Sequence, residues 1–458
     1  MLNESLDRLT AYASVRSRGG INVFSGRATI SAETVPEYLS TPDDKRSAID
    51  NLQQKGFEVE RVGPLSVRIS GPAELFEKQM GAAFERQELE DNASRTVSPL
   101  WVPTVDTTAN LLDTGISELE GIAFPKPVTL HAPSLTPPAL RYYHLKVPDD
   151  VVRILNADPV HADGVRGRGV RTAMIDSGFH WSHTYFASRR YDLEVSLPAG
   201  SDNDANGHGT GESANLLAIA PETNLYGLAM VDIIRAVQVA RDNLGVQVIS
   251  NSWGSRADTD GPNGFWDPYW TLVQAEIALC VREGIIVLFS GGNGGMSFTA
   301  SMPETISVGG VYVDEEGEMQ ASDYASSFDS TRFPGQHVPE VCGLTGMQPE
   351  AIYIALPIPP GCEIDRDLSG LSFPDKDETD AEDGWGVFSG TSAACPMVAG
   401  TVALILCKYP GADLEEVRER LRRAQDVTEG HSSMGDSAGP DYDSATGHGL
   451  VNVEQACI

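Results

Sequence analysis

The chain has 458 residues, a length that suggests two or three domains with a large buried core. Its formal net charge of -32 argues against nucleic acid or an anionic membrane surface as a partner, because both are themselves negatively charged. No uninterrupted apolar run reaches about 18 residues and the N-terminus shows no apolar signal-like segment, so we expect a globular, cytoplasmic protein.

The first part of the chain differs in pattern from the rest. Its predicted order is strand, helix, strand, strand, helix, with boundaries at 21–24, 43–56, 57–59, 65–69 and 72–84. This order suggests a small α+β, ferredoxin-like domain over residues 1–86. Residues 87–141 contain proline and threonine with only short extended pieces, and we interpret them as an extended linker and a possible processing region.

From residue 142 to residue 458 the chain alternates apolar strands with helical patterns. The predicted strands lie at 168–176, 224–230, 247–252, 284–289 and 305–313, and the predicted helices at 149–156, 231–244 and 270–283. Such alternation is typical of an α/β domain with a mostly parallel sheet and helices on both faces. In this architecture the chemistry is expected at the carboxyl ends of the strands.

Three polar residues stand where strands and helices meet. Asp176 ends the first predicted strand of this domain, His208 begins a helix after Asn206-Gly207, and Asn293 follows a strand in a glycine-rich turn. Each residue alone is a weak signal, because an acid at a strand end is often a cap and Asn-Gly is a common turn. Their combination is much less expected by chance.

Ser392 follows the small residues Ser389, Gly390 and Thr391, at a point where a loop opens into an apolar helix. One interpretation is that Ser392 simply caps this helix. The other is that it is a nucleophile whose developing oxyanion is stabilised by the free N–H groups and the dipole of the helix N-terminus. Pro396 is compatible with either, because a proline in the first turn sacrifices no intrahelical hydrogen bond.

Together these residues form the set that acyl transfer requires. A serine hydroxyl is a poor nucleophile, so His208 would accept its proton while Asp176 fixes the imidazole and stabilises its charged form. The amide of Asn293 and the N–H of Ser392 would hold the oxyanion.

The region from about 145 to 458 resembles the subtilisin-like serine proteases, in which the order acid, histidine, serine is known. The matching segments are 167–170, 175–178, 207–210, 249–254, 292–293, 303–310, 389–396 and 447–452. The resemblance implies a triad of Asp176, His208 and Ser392 with Asn293 as oxyanion donor. It also implies that Ser252, Trp253, Gly254 and Gly292 bind an extended peptide or protein substrate.

The first domain is similar to the pro-domains of this family and of the related sedolisins, particularly over residues 67–84. This similarity implies a precursor whose own pro-domain acts in cis as inhibitor and chaperone. A sedolisin mechanism would require a glutamate in place of His208.

Some features depart from the family pattern. Gly211 replaces a second histidine, with Glu212 beside it, and almost no loop separates the strand at 226–230 from the next helix. We also predict an insert at 332–384 with an acidic run at 375–383. Such runs are usually solvated, with calcium binding as the alternative.

No cofactor is expected for the chemistry, and structural calcium is left open without an assignable ligand set. Cys280, Cys395 and Cys407 lie on apolar helical stretches and are expected to be buried thiols, whereas Cys342 and Cys362 flank a loop where a disulfide is conceivable. Two hypotheses for the function follow. The favoured one is a serine endopeptidase made as an inhibited zymogen, and the alternative is a catalytically silent peptide-binding module.

Overall fold

The computed structural model describes residues 8–25, 30–90, 97–103, 115–125, 129–130, 143–255, 267–349, 352–370, 376–380 and 382–458. The chain divides into two compact units. Unit 1 contains Met1–Pro127, Asp232–Gln238 and Asp258–Arg282. Unit 2 contains Val128–Val231, Val239–Ala257 and Glu283–Ile458.

Strands and helices are interspersed along both units. The strands are β1 (Arg8–Val15), β2 (Glu58–Val62), β3 (Ser66–Pro72), β4 (Phe84–Glu90), β5 (Val97–Pro103), β6 (Leu119–Ala123), β7 (Thr129–Leu130), β8 (Leu145–Lys146), β9 (Arg171–Asp176), β10 (Asp192–Leu197), β11 (Asn224–Ala229), β12 (Val248–Asn251), β13 (Trp253–Gly254), β14 (Ile286–Ser290), β15 (Thr305–Val313), β16 (Met319–Ala321), β17 (Phe328–Asp329), β18 (His337–Val338), β19 (Val341–Leu344), β20 (Ile354–Pro357), β21 (Trp385–Phe388) and β22 (Glu429–Gly430). The helices are α1 (Pro42–Gln54), α2 (Ala73–Met80), α3 (Asp149–Ile154), α4 (Asp158–Ala162), α5 (Thr184–Ala187), α6 (His208–Ile219), α7 (Ile233–Gln238), α8 (Pro268–Arg282), α9 (Glu363–Leu368), α10 (Thr391–Lys408), α11 (Leu414–Leu421) and α12 (Val453–Ala456).

Unit 1 is built on an antiparallel sheet with the strand order β2-β3-β1-β6. With α1 and α2 inserted after β1 and β3, the chain order is the strand-helix-strand-strand-helix-strand order of ferredoxin-like folds. Four phenylalanine rings pack together in its core, with centroids 4.9 to 6.1 Å apart: Phe57, Phe76, Phe84 and Phe124. The helix α1 begins after Thr41, whose hydroxyl accepts a hydrogen bond from the N–H of Asp44.

The strand predicted at 21–24 is wrong. Asn22 Oδ1 accepts a hydrogen bond from Phe24 N, and Ser25 N donates to the Asn22 carbonyl, so this segment folds into a turn. The first strand is instead β1, where Leu9, Ala11, Ala13 and Val15 alternate into the core.

The boundary predicted at residue 86 is also wrong. The strand β6, within the predicted linker, pairs with β1 and completes the first sheet, and β4 forms an antiparallel hairpin with β5. The sequence could not show this pairing, because partner strands more than 100 residues apart have no local signal. The rest of the predicted linker lies largely outside the described residues.

Unit 2 is organised around a sheet with the order β10-β11-β9-β12-β14-β15-β16-β22, with β19 pairing to β15. All of these pairs are parallel except that of β15 with β16, which confirms the predicted mostly parallel sheet. The strand β10 was not predicted from the sequence, and its residues are only partly buried and lie at the edge.

Helix α10 forms the centre of this unit. By length and composition alone it could cross a membrane, but 89% of its 18 residues are buried inside the protein, as expected for a core helix. It packs closely on α6, because a Cβ on Gly400 would lie only 2.8 Å from Ile219 Cβ and 2.9 Å from the Leu216 carbonyl oxygen.

The predicted insert at 332–384 is partly integral to the core. Its strand β19 belongs to the central sheet, and β20 pairs with β21 immediately before α10. The acidic run is not simply solvated, since Asp377 is fully buried and accepts hydrogen bonds from Thr379 and from the N–H of Val387.

The cysteines follow the predictions in part. No disulfide joins Cys342 and Cys362, both of which are buried free thiols. Cys280 and Cys395 are buried as predicted, but Cys407 is only partly buried.

Candidate active site

The site is built where the end of β9 meets the start of α6. Asp176 is the last residue of β9 and His208 the first of α6. Gly209 allows this contact, because a Cβ at this position would clash with the carbonyl oxygen of Gly178 and lie 2.9 Å from Asp176 Cβ. As a result His208 Nδ1 lies 2.7 Å from Asp176 Oδ1, and both side chains are 1% exposed.

A second carboxylate, that of Asp204, shapes the loop before α6. It accepts hydrogen bonds from the hydroxyls of Ser177 and Thr210 and from the backbone N–H groups of Gly207 and Thr210. The Ser177 hydroxyl in turn accepts a bond from Gly209 N. This network ties the residue after Asp176 to the first turn of α6 and thereby fixes the imidazole against its carboxylate partner.

Charge decides the protonation of His208. Burial by itself lowers the pKa of the imidazole, but the charge and hydrogen bond of Asp176, followed by Glu212 and Asp204, outweigh it and raise the pKa to about 9. Because Asp176 accepts at Nδ1, that nitrogen carries the proton and Nε2 is the nitrogen left to accept one.

Ser392 is the second residue of α10, as predicted. Its hydroxyl donates to the Ser252 carbonyl at 3.2 Å, and the Ser252 hydroxyl donates to the Ser392 carbonyl at 2.9 Å. The sequence predicts Pro396 in the first turn of the helix, but the structure makes it the sixth residue of α10, in the second turn. It therefore has no N–H for the carbonyl of residue 392, and the Ser252 hydroxyl supplies the missing donor.

Ser392 and His208 are not hydrogen-bonded to each other in this structure. Among the described residues, His208 Nε2 has no hydrogen-bond partner, although the nitrogen is fully buried. The structure thus brings together the predicted acid and histidine directly, and holds the predicted nucleophile in another hydrogen bond.

Asn293 and Gly292 lie beside the start of α10. Asn293 Oδ1 accepts hydrogen bonds from the N–H of Thr391 at 3.0 Å and from its hydroxyl at 3.1 Å, while Gly292 N donates to that same hydroxyl at 3.1 Å. Because the amide oxygen is engaged in this way, the amide orientation is fixed and Nδ2 is presented as the donor end.

The predicted peptide-binding strand is β13. It pairs antiparallel with β7, with Trp253 opposite Leu130 and Gly254 opposite Thr129. The side chain of Trp253 is fully buried, and its indole donates to the Ile175 carbonyl at 2.9 Å. The residue therefore offers its backbone rather than its ring to an extended chain.

Sequence reasoning missed the site roles of Asp204 and Thr391, and it gave Glu212 no structural position. Asp204 lies four residues before His208 and Thr391 directly precedes Ser392, so closeness in sequence was the available signal. In the described part of the chain, no cluster of three or more His, Cys, Asp or Glu side chains is arranged to hold a metal ion.

The packing around position 211 explains why a glycine stands there in place of the second histidine of the family pattern. A Cβ at this position would lie 2.6 Å from the ring of Phe388. A larger side chain would therefore displace β21 or its aromatic ring.

Comparisons with known proteins show which family this chain resembles. A family model described as the subtilase family matches residues 167–449. Subtilisin DY of Bacillus licheniformis is 27% identical over 329 residues, which cover 67% of this chain and 97% of the relative. Subtilisin E of Bacillus subtilis (strain 168) is 27% identical over 339 residues, which cover 69% and 72% of the two chains.

Two solved structures are similar in fold. Fervidolysin from Fervidobacterium pennivorans, described as a keratinolytic enzyme related to subtilisin, has a TM-score of 0.62 at 15% identity, and the match covers 100% of this chain but only 62% of fervidolysin. A lanthipeptide protease has a TM-score of 0.50 at 20% identity, with coverage of 68% and 94%. The family match spans more than half of the chain and includes Asp176, His208, Asn293 and Ser392. The chain therefore belongs to the subtilase family and is a subtilisin-like serine endopeptidase.

Proposed function

We propose that Asp176, His208 and Ser392 are the catalytic triad of this endopeptidase and that it is made as a pro-domain-inhibited zymogen. The observation that carries the first part is the buried 2.7 Å bond between Asp176 and His208. Ser392 is linked to this pair through two adjacent residues, because Ser252 bonds the Ser392 carbonyl and Trp253 bonds the carbonyl of Ile175, the residue before Asp176. All three residues are at most 1% exposed, so the charges of Asp176 and of protonated His208 interact in a medium that screens them weakly.

In the proposed reaction Ser392 Oγ attacks the peptide carbonyl carbon while its proton passes to His208 Nε2. Asp176 stabilises the imidazolium that forms, and Nε2 then gives the proton to the leaving amine, which departs and leaves an acyl-enzyme. Water attacks the acyl group by the same proton route and restores Ser392.

The negative oxygen of each tetrahedral intermediate would be held by the N–H of Ser392 and by Asn293 Nδ2. One such donor lowers the barrier by roughly 3 kcal/mol. The hydrogen bonds from Thr391 to Asn293 Oδ1 orient the amide before substrate arrives, so no reorganisation energy is required at that moment.

Catalysis requires the Ser392 hydroxyl to leave the Ser252 carbonyl and to donate to His208 Nε2 instead. Rotation about its Cα–Cβ bond redirects the hydroxyl. Catalytic hydrogen bonds are often loose without substrate and tighten in the reacting complex.

The zymogen proposal is supported by the pairing of β7 with β13. The strand β7 follows the first sheet in sequence and adds to the strand that the family resemblance assigns to the substrate. A segment that fills this edge excludes a peptide substrate from it. Maturation would then require a cut beyond residue 130, which narrows the predicted processing region of 87–141. Structural calcium and a cytoplasmic location stay predictions.

A fluorophosphonate probe tests the triad, because it reacts with an activated serine only. We expect labelling of the matured enzyme, complete loss of labelling in Ser392→Ala, strong reduction in His208→Ala, and a loss of kcat of roughly a millionfold in Ser392→Ala. Ser188→Ala, which alters an exposed serine, is the matched control and should label normally. Persistent labelling of Ser392→Ala would contradict the assignment, and absence of labelling in the wild-type enzyme after pro-domain removal would favour the silent peptide-binding module.

A further inference from the structure

Glu212 is a buried carboxyl group that the proposed reaction does not use. It lies one helical turn after His208 on α6, and its side chain is 1% exposed. Glu212 Oε1 is 3.9 Å from His208 Nε2. The other carboxyl oxygen, Oε2, accepts a hydrogen bond of 2.8 Å from the side-chain amide of Asn215, which fixes the orientation of the group.

Both atoms of this contact lack other partners. Within the described ranges of the chain, neither Glu212 Oε1 nor His208 Nε2 makes a hydrogen bond, and both are shielded from solvent. An unpaired buried polar atom is costly, and native proteins contain few of them. At 3.9 Å the two atoms are too far apart for a hydrogen bond, but a negative charge on Glu212 attracts a positive charge on the imidazole because the site is buried and screens charges weakly.

The surroundings of this pair supply further negative charge but little else that titrates. Asp176 lies at the Nδ1 side of the imidazole, and Asp204 is fully engaged in the loop network before α6. On α10 the facing ionisable group is Cys395, and burial raises the pKa of its thiol to about 12, so it stays neutral. The apolar side chains that face Gly211 come from β20, β21 and the residue after β20, namely Leu356, Phe388 and Ile358.

We propose that Glu212 is a positioning residue for the peptidase reaction: its negative charge beside His208 Nε2 stabilises the imidazolium and so raises the pH above which that nitrogen can accept the proton of Ser392. This inference rests on the proposed triad, since it concerns the base that the triad assigns. Asp176 and Glu212 then flank the two nitrogens of one imidazole. Below the midpoint the imidazolium lies between two carboxyl groups and cannot accept a proton from the serine.

The direction of the titration follows from the geometry and from burial. Burial raises the pKa of Glu212 to about 7, and the negative charge of Glu212 contributes to the raised pKa of His208. Two groups this close titrate as a coupled pair, so the acid limb of the rate profile reports the pair and not one residue. Removing the Glu212 charge makes His208 easier to deprotonate.

The first test is the pH dependence of kcat/KM for the matured enzyme, compared between wild type and Glu212→Gln. We expect the midpoint of the acid limb to move down by about one pH unit or more, which raises kcat/KM about tenfold on the acid side. Glu212→Leu, which also removes the charge, should shift the midpoint in the same direction. Glu419→Gln makes the same chemical change at an exposed position of α11 and should leave the midpoint in place.

The second test measures the imidazole directly and needs no activity. In Ser392→Ala protein, the ring nitrogens of His208 are titrated by NMR with and without the Glu212→Gln change, and we expect a lower midpoint in the double variant. An unmoved or raised midpoint in both tests would overturn the role of Glu212. If instead Ser392→Ala retained full activity, the proposed triad would fail, while the imidazole titration would still decide whether the charge of Glu212 stabilises the imidazolium of His208.

Discussion

Asn293 shows how a single residue acquires its role from its neighbours. Its amide oxygen is bonded twice by Thr391, the residue that precedes Ser392. The same threonine hydroxyl accepts from Gly292 N, so three contacts join the turn after β14 to the start of α10. The amide nitrogen is thereby aimed by bonds at the other end of the group, before any substrate is present.

We therefore expect Asn293→Ala to lower kcat of the matured enzyme by about 10²- to 10³-fold with a much smaller change in KM, because the lost hydrogen bond forms mainly in the transition state. Steady-state kinetics on a peptide substrate measures both constants. Asn203→Ala removes an exposed asparagine side chain in the same unit and serves as the control. A rise in KM with kcat unchanged would instead assign Asn293 to ground-state binding.

Among the helices and strands, α10 combines the proposed nucleophile, Ser392, with a helix-breaking residue. Pro396 lies in the second turn and deprives the Ser392 carbonyl of its helical donor. The Ser252 hydroxyl donates to that carbonyl, and the Ser392 hydroxyl donates back to the Ser252 carbonyl. The helix start and the strand that the family resemblance assigns to the substrate are therefore coupled through two serines.

This coupling predicts the result of a double-mutant cycle. Ser252→Ala should lower the free energy of unfolding by about 1–3 kcal/mol, because it removes a hydrogen bond to a buried carbonyl. In a Pro396→Ala background, the new N–H of residue 396 can bond that carbonyl, and the cost of Ser252→Ala should fall well below its value in the wild type. Denaturant unfolding measures both costs.

The control for this cycle is Ser290→Ala. It removes a buried hydroxyl that makes no hydrogen bond to any residue the structure describes, and it should cost little in either background. If Ser252→Ala lowered the free energy of unfolding equally in both backgrounds, the Ser252 hydroxyl would not be replacing the backbone N–H that Pro396 lacks.

Across the whole chain, residues 1–127 form a compact unit together with α7 and α8. Tyr12 of β1 donates its hydroxyl to Asp232 Oδ2 at 2.5 Å, and Arg68 of β3 lies 3.5 Å from the same carboxyl oxygen. Burial raises the pKa of Asp232, while the hydrogen bond from Tyr12 and the charge of Arg68 oppose that rise. Asp232 also accepts from the N–H of Arg235, in the first turn of α7.

If the first domain inhibits the peptidase, weakening this network should release it. We expect full-length protein to be less active than a form cut between residues 130 and 145. Tyr12→Phe should raise the activity of the uncut chain about tenfold or more, because a hydrogen bond to a charged group is lost. The cut form should be unaffected, since the altered residue departs with the pro-domain.

Activity assays on cut and uncut protein provide the measurement. Ser66→Ala is the matched control, because its buried hydroxyl has no hydrogen-bond partner in the described portion of the protein. Equal activity of the cut and uncut wild-type forms would argue against an inhibitory pro-domain. If Tyr12→Phe had only the effect of Ser66→Ala, the hydrogen bond between Tyr12 and Asp232 would not contribute to inhibition, while the inhibitory role of the first domain could still hold.

Local patterns in the sequence were enough to predict the mostly parallel sheet of unit 2, because buried strands and amphipathic helices carry their periods locally. They also led to Asp176, His208, Asn293 and Ser392 as candidate catalytic residues, since each stands at or near a strand or helix end where short motifs are readable. The turn at 21–24 shows the limit of such reasoning, because the Asn22 side chain accepts a hydrogen bond from the backbone N–H of Phe24 and the segment folds into a turn despite its apolar strand pattern.

Packing in three dimensions was needed to show which distant groups meet. The pairing of β6 with β1, the donor that Ser252 supplies to the Ser392 carbonyl and the approach of Glu212 to His208 Nε2 all depend on it. The acidic run shows the same limit, since it looked solvated in the sequence while Asp377 is buried and hydrogen-bonded. Burial and partner choice are properties of the packed chain, so local residue patterns do not contain them.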